Sequence, residues 1–214
     1  MWRWDVCLKE GETLPLSSVG SKPHIAIFIS GRGSNMVSLV DAMQAGDVDA
    51  VPSLVISNNR EAKGLSRAAD LGISCEILCR DQFNDPVAFE TRSIEILKRY
   101  QIDWVALAGY MAILGPTLLN EYSGRIINIH PSLLPSFKGL NPQQQALTAG
   151  VKYTGCTVHY VNSVLDGGAI IDQAVVEVNA RDTLEGLSDR ILRAEHKLYP
   201  MALQKVISNR NEIL

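Results

Sequence analysis

The chain has 214 residues, 46% of them hydrophobic and 20% charged, with a net charge of −3. That is enough to bury a core in one large domain or two small ones, and the slightly acidic balance argues against a broad nucleic-acid-binding surface. Cys7, Cys75, Cys79 and Cys156 form no Cys-x-x-Cys pair, and with the four scattered histidines they give no zinc spacing, so no metal is expected. Idle thiols of this kind suit a reducing cytoplasmic setting.

The opening MWRWDVCLKEGETLPL carries acids and lacks the apolar stretch of a secretory signal. Residues 1–22 read as a polar extension ahead of one domain over 23–214. The longest apolar runs, 25–29 and 104–114, are too short or too broken by glycine to span a membrane.

The first predicted strand, 25–30, runs into Gly31-Arg32-Gly33-Ser34-Asn35 and then a helical pattern over 36–44. Glycines allow a sharp turn and an open backbone. Free amides at a helix start favour an anion. The spacing is neither Gly-x-Gly-x-x-Gly nor a Walker loop, and it suits a single phosphate. Taken alone, it is equally a plain turn with Ser34 or Asn35 as N-cap.

Strand 53–57, helix 62–71, strand 75–78, helix 87–100 and strand 104–108 follow in turn. Continuous apolar strands alternating with helices imply a parallel sheet covered on both faces. Ligands of such sheets bind beyond the carboxyl ends of the strands.

Strand 126–129 leads into Asn128-Ile129-His130-Pro131. Asn128 and His130 are two apart on extended chain, so their side chains share a face. An amide donor beside an imidazole can stabilise an oxyanion and move a proton. A bare Asn-x-His is also compatible with a structural histidine and a turn-capping asparagine. Strands 156–161 and 170–178 then succeed one another with less helix between them, which implies an antiparallel addition. Between them Asp166-Gly167-Gly168 is an ordinary hairpin signal. Asp166 is equally able to partner His130, because a carboxylate near an imidazole orients its protons and favours its charged form. A long helix over 184–208, with Pro200 as a kink, closes the α/β pattern.

Together these segments closely resemble the phosphoribosylglycinamide formyltransferase family from about His24 to Leu203. The resemblance rests on Ser30-Gly31-Arg32-Gly33-Ser34-Asn35, Ile56-Ser57-Asn58, Leu107-Ala108-Gly109-Tyr110-Met111 and Asn128-Ile129-His130-Pro131-Ser132-Leu133-Leu134-Pro135. It also rests on Gly155-Cys156-Thr157-Val158-His159, Leu165-Asp166-Gly167-Gly168 and Glu195-His196. It implies a Rossmann-like, mostly parallel sheet with helices on both faces and an antiparallel C-terminal part. A phosphate-binding half would run to about residue 122, and a folate and catalytic half would follow.

By the same resemblance Asn128, His130 and Asp166 are catalytic. Gly33, Ser34 and Asn35 hold a ribonucleotide phosphate, and Glu195 binds its ribose. Met111, Ala112, Ile113 and Leu114, with Asn128 and the turn Asn162, Ser163, Val164, Leu165 and Asp166, line a folate pocket. The implied cosubstrate is 10-formyltetrahydrofolate and the acceptor 5-phosphoribosylglycinamide. The implied protein is a monomer or homodimer with small-molecule partners, no nucleic acid and no membrane.

The family's usual arginines are replaced by Pro86 and Ala112. Its His/Asp-Thr-His-Arg is Asn141-Pro142-Gln143-Gln144 here, and a glutamine three before Glu195 is Leu192. The nearest alternative is a formyltetrahydrofolate deformylase, whose relatives share the Asn-x-His, the Asp and an Asn-Pro pair. Those relatives carry a regulatory N-terminal domain and a second His where this chain has Pro131, and they lack the Gly-Ser-Asn loop. Methionyl-tRNA formyltransferase would need a C-terminal RNA-binding domain. A non-catalytic phosphoribosyl-binding module would account for the loop but not for Asn128, His130 and Asp166.

Overall fold

The structure is a computed structural model that describes residues 21–211; the expectation of a polar extension falls, for residues 1–20, outside them. Seven strands form one sheet: β1 (His24–Ile29), β2 (Val51–Ser57), β3 (Ser74–Ile77), β4 (Trp104–Leu107), β5 (Ile126–His130), β6 (Tyr153–Tyr160) and β7 (Ile170–Glu177). Their order is β3-β2-β1-β4-β5-β6-β7. The first five are parallel, and β6 and β7 are antiparallel additions. This is the α/β class and sheet composition that the sequence implies.

Six helices accompany the sheet: α1 (Ser34–Ala45), α2 (Lys63–Asp70), α3 (Pro86–Arg99), α4 (Pro116–Glu121), α5 (Pro142–Ala149) and α6 (Leu184–Asn211). No helix among the described residues is long and apolar enough to cross a membrane. Two of the six go beyond the sequence expectation, which had no helix between strands 104–108 and 126–129, where α4 lies, and little helix after β5, where α5 lies. Each starts with a proline at its first turn, where a missing N–H costs nothing and the fixed φ suits the helix.

Alternation along β1 explains why the sheet needs cover on both sides. Ile25, Ile27 and Ile29 face one core with Met36, Leu39, Val40 and Met43 of α1 and Leu187, Ile191, Leu198 and Leu203 of α6. Ala26 and Phe28 face a second core with Phe89, Ile96 and Leu97 of α3 and Leu118 of α4. The helix ends are specified locally. Asp85 caps α3 by accepting the N–H groups of Val87 and Ala88 at 3.1 Å, and Gly46 closes α1 in the left-handed conformation.

The order places β1 between β2 and β4, so the chain leaves β1 and β4 in opposite directions. That switch point opens a crevice at their carboxyl ends. Beneath it, fully buried Tyr199 of α6 ties the helix to the sheet: its hydroxyl proton is shared between the carbonyls of Leu107 at 3.0 Å and Ile127 at 3.2 Å. Tyr199→Phe should lower unfolding free energy by about 1–3 kcal/mol, because two buried acceptors lose their donor. Urea denaturation should show the midpoint falling while the slope m stays constant.

Candidate functional site

β5 and β6 supply the centre of the site. Their antiparallel register sets Asn128 opposite His159 and His130 opposite Thr157. Two residues apart on each strand, the four side chains share one face. The turn from β6 to β7 then brings Asp166 over them. Its carboxylate lies 3.5 Å from Nδ1 of His130 and 3.8 Å from Nε2 of His159. The side chains of His130 and Asp166 are only 7% and 9% exposed, so this charge chemistry is sheltered from water.

Asp166 reaches this position in a left-handed backbone conformation, φ 46°, which Asp tolerates better than most residues. Gly139 N–H donates to its Oδ2 at 2.8 Å. The loop between β5 and α5 thus holds the carboxylate from the other side. The same loop supplies the carbonyl of Phe137, which accepts Nε2–H of His130 at 2.9 Å. Both ring nitrogens of His130 therefore face acceptors, an arrangement that a doubly protonated ring satisfies.

His159 is set up differently. A carbonyl only accepts, so Nδ1–H donates to Tyr160 O at 2.8 Å. Burial lowers the pKa of His159; hydrogen bonding to Tyr160 and the charge of Asp166 oppose this. The ring is thus neutral at neutral pH, with its lone pair on Nε2. That atom accepts the amide Nδ2–H of Asn128 at 3.2 Å. One amide proton of Asn128 is so engaged, and its twin is free to meet a ligand oxygen.

His159 lies in the Gly155-Cys156-Thr157-Val158-His159 segment, to which the sequence alone assigns no role. The available signal was Thr157-x-His159, a same-face pair on a strand antiparallel to the one carrying Asn128-x-His130.

A second group lies at the end of β1. Gly33 is the N-cap of α1 with φ 70°, and a Cβ there would come within 2.9 Å of the Cα of Gly64. A glycine is therefore required both by the backbone and by the approach of α2. The first N–H to close a helical turn is that of Val37, onto Gly33 O. The amides of Ser34, Asn35 and Met36 are left outside the ladder, as an anion site requires. Asn35 is buried and donates from Nδ2 to Oε2 of Glu195 on α6 at 2.8 Å, while its own Oδ1 has no partner. Burial raises Glu195 to about 7, against the hydrogen bond from Asn35 that lowers it. These two sequence-predicted residues, 160 positions apart, do meet.

The loop between β4 and α4 is tied to the end of β1. Ser30 N–H donates to Gly109 O at 3.1 Å, and Met111 N–H donates to Ser30 Oγ at 2.7 Å. Met111 and Ile113 are widely exposed, Ala112 is half-buried, and the side chain of Leu114 is in the core. Leu114 can therefore offer a ligand its main chain. In the β6–β7 turn Asn162, Ser163, Val164 and Leu165 are exposed, with Asn162 Oδ1 accepting Val164 N–H at 2.9 Å. Among the described residues no group of three or more His, Cys, Asp or Glu side chains is placed to hold a metal ion.

The free amides ahead of α1 can hold an anion, the Glu195 carboxyl can accept a hydroxyl, and Asn128 with His130 can stabilise an oxyanion. Comparison with known proteins agrees in kind. The family described as formyl transferase matches residues 23–203. The phosphoribosylglycinamide formyltransferase of Bacillus subtilis is 41% identical over 189 residues, 87% of this chain and 97% of that protein. The trifunctional purine biosynthetic proteins adenosine-3 of Bos taurus, Homo sapiens and Gallus gallus also match, but the chain spans only 18%, 20% and 19% of their lengths.

Among solved structures, glycinamide ribonucleotide transformylase 1 of Symbiobacterium toebii superposes with a TM-score of 0.87 at 40% identity, covering 94% of each chain. A formyltetrahydrofolate deformylase of Pseudomonas syringae superposes with a TM-score of 0.82 at 31% identity, covering 89% of this chain and 63% of that one. Matched in sequence over nearly all its described residues and in fold across the whole sheet, the chain belongs to the formyl transferase family.

Proposed function

We propose that this chain transfers the formyl group of 10-formyltetrahydrofolate to the amine of 5-phosphoribosylglycinamide, as a single domain over residues 23–214. The observation that carries the reading is the convergence of Asn128, His130 and Asp166 at the end of β5, in the same sheet as the glycine turn whose Asn35 donates to Glu195. An activated formyl donor and an amine acceptor need a dry place for charge to develop and a grip on each substrate. The site offers both.

In this reading Gly33, Ser34 and Asn35 take the phosphate on main-chain amides, and Glu195 accepts hydroxyls of the ribose. The main chain of Met111, Ala112, Ile113 and Leu114, with Asn162, Ser163, Val164 and Leu165, takes the folate. The amine nitrogen attacks the formyl carbon. The free amide proton of Asn128 and a proton on His130 meet the developing oxyanion, where preorganised donors act most strongly. Asp166 balances the charge on His130 and relays the proton lost by the attacking nitrogen. The carbon–N10 bond then breaks and N10 ends protonated. No covalent enzyme intermediate is needed, because the folate already presents an activated acyl group. Proline at 86 and alanine at 112 leave folate binding without the arginines usual in relatives, so exposed Met111 and Ile113 supply apolar contact instead. The unpaired thiols of Cys75, Cys79 and Cys156 suit a cytoplasmic enzyme.

The amine requirement tests the reading directly. Tetrahydrofolate should appear only when 5-phosphoribosylglycinamide is supplied, together with the formylated ribonucleotide. Release of formate without the amine would make the chain a deformylase. Asn128→Ala should lower kcat by roughly 10²–10³, the usual cost of losing one oxyanion donor, with little change in either KM. Retention of most of kcat would remove Asn128 from the mechanism.

Glu195 gives a pH signature. Its carboxyl is raised from 4.5 to about 7 in the folded chain. The ionised form accepts ribose hydroxyls, so the ribonucleotide KM should rise as pH falls below about 7, while the folate KM stays flat. Stability runs the other way. Between 4.5 and about 7 the native state holds a proton that the unfolded state has released, so stability declines as pH rises through that window. Glu195→Gln should abolish this decline. Thermal melts of both proteins at pH 5 and pH 8 should show the variant's advantage growing with pH.

A further inference from the structure

Helix α4 begins without a cap of its own. Its N-cap is Gly115, which has no side chain to offer, and its first residue is Pro116. The N–H groups of Thr117 and Leu118 follow, and no residue of the helix can accept them. A carboxylate from another helix takes up the role. Glu90 of α3 accepts Leu118 N–H on Oε2 at 3.0 Å. Its Oε1 lies against Gly115, where a Cβ would fall 1.6 Å away. The carboxylate therefore stands in the place of the missing side chain, and the positive end of the helix favours its charge.

Glu90 is 5% exposed, beside Phe89, Leu114 and Leu118 of the second core. A buried carboxylate is costly unless something specific holds it. Packing alone would be served better by leucine, so the acid points to a demand of the backbone.

That demand lies in the segment ahead of α4. The loop from β4 is fixed at its near end by Ser30, which bonds Gly109 O and Met111 N–H. At its far end it has Leu114 in the core and Gly115 under the carboxylate of Glu90. Between these ties Ile113 is 85% exposed, so burial of its side chain does little to hold the main chain.

We propose that Glu90 is a positioning residue for the formyl-folate site: through Gly115 and the start of α4 it fixes the main chain of Met111, Ala112, Ile113 and Leu114. The inference rests on the reading of that segment as folate-binding. Glu90 touches no substrate and acts only on the shape of the loop.

The test uses Glu90→Leu, Glu90→Gln and Gly115→Ala in the full chain, with binding of a non-transferable folate analogue and of 5-phosphoribosylglycinamide followed by calorimetry. Glu90→Leu should weaken the analogue and raise the folate KM by about tenfold or more, because the uncapped helix start loses its acceptor. The ribonucleotide Kd should stay within about twofold, and kcat at saturating folate should hold, the pattern of lost ground-state positioning. Glu90→Gln keeps one acceptor oxygen and should recover most of the loss. Gly115→Ala, whose φ of −90° suits alanine, displaces the carboxylate and should reproduce Glu90→Leu, which provides a second route if the leucine variant does not fold.

Unchanged folate affinity in folded Glu90→Leu or folded Gly115→Ala overturns the proposal. So does parallel weakening of both ligands. A wild-type chain that fails to bind the analogue overturns the folate reading itself, and with it this inference. A wild type that binds, matched by variants that bind equally, overturns this inference alone.

Discussion

The site depends on holding one carboxylate, that of Asp166, between two buried imidazoles while keeping water away. A charge so placed needs hydrogen bonds and a rigid approach. Gly139 N–H gives the hydrogen bond. The approach comes from a turn whose glycines have steric reasons. A Cβ on Gly167 would meet Val164 at 2.5 Å, and one on Gly168 would sit 1.7 Å from the carbonyl oxygen of Tyr160. That carbonyl is the one that accepts from His159. The Asp-Gly-Gly turn therefore closes β6 onto β7 and delivers Asp166 to the ring that the next carbonyl orients.

The sheet brings the remaining parts to this carboxylate. β1, β4 and β5 lie side by side, so their carboxyl ends present the glycine turn ahead of α1, an exposed apolar loop and the Asn128–His130 pair in one row. Side chains from the last helix reach across the row from behind: Glu195 to Asn35 and Tyr199 to the carbonyls of Leu107 and Ile127. One element closing the chain thus stabilises loops separated from it by most of the sequence. Such long-range ties make the strand ends parts of a single packed body rather than independent loops.

The strands were legible because runs such as Ile25 to Ile29 are apolar on both faces, and a sheet buried twice requires that. Asn128 and His130 were legible because a spacing of two on a strand needs no knowledge of the fold. The meeting of Asp166 with His130 was an expectation from resemblance, and the geometry gives it a distance. Helices α4 and α5 were less visible, since six and eight residues hold little periodicity and their start signals are single prolines. Glu90 was not readable at all. Its environment is made by Gly115 and Leu118, and nothing in the local sequence of α3 announces a helix start 25 residues away.

His159 shows how a residue silent in sequence can control one that is not. An asparagine side chain can point either its oxygen or its nitrogen at a neighbour, and only the nitrogen can stabilise an oxyanion. Asn128 is told which way to turn by the lone pair on Nε2 of His159. That lone pair exists because Nδ1 carries the proton, and Nδ1 carries it because Tyr160 O can only accept. Burial keeps the second proton off. Were the ring to gain a proton on Nε2, the atom facing Asn128 would become a donor, the amide would present its oxygen, and the donor proposed for the oxyanion would be lost. The neutral ring of His159 and the two acceptors facing the ring nitrogens of His130 are thus separate requirements met a few ångströms apart. Asp166 faces both rings, one carboxylate oxygen toward each, and it is burial that keeps His159 neutral beside it.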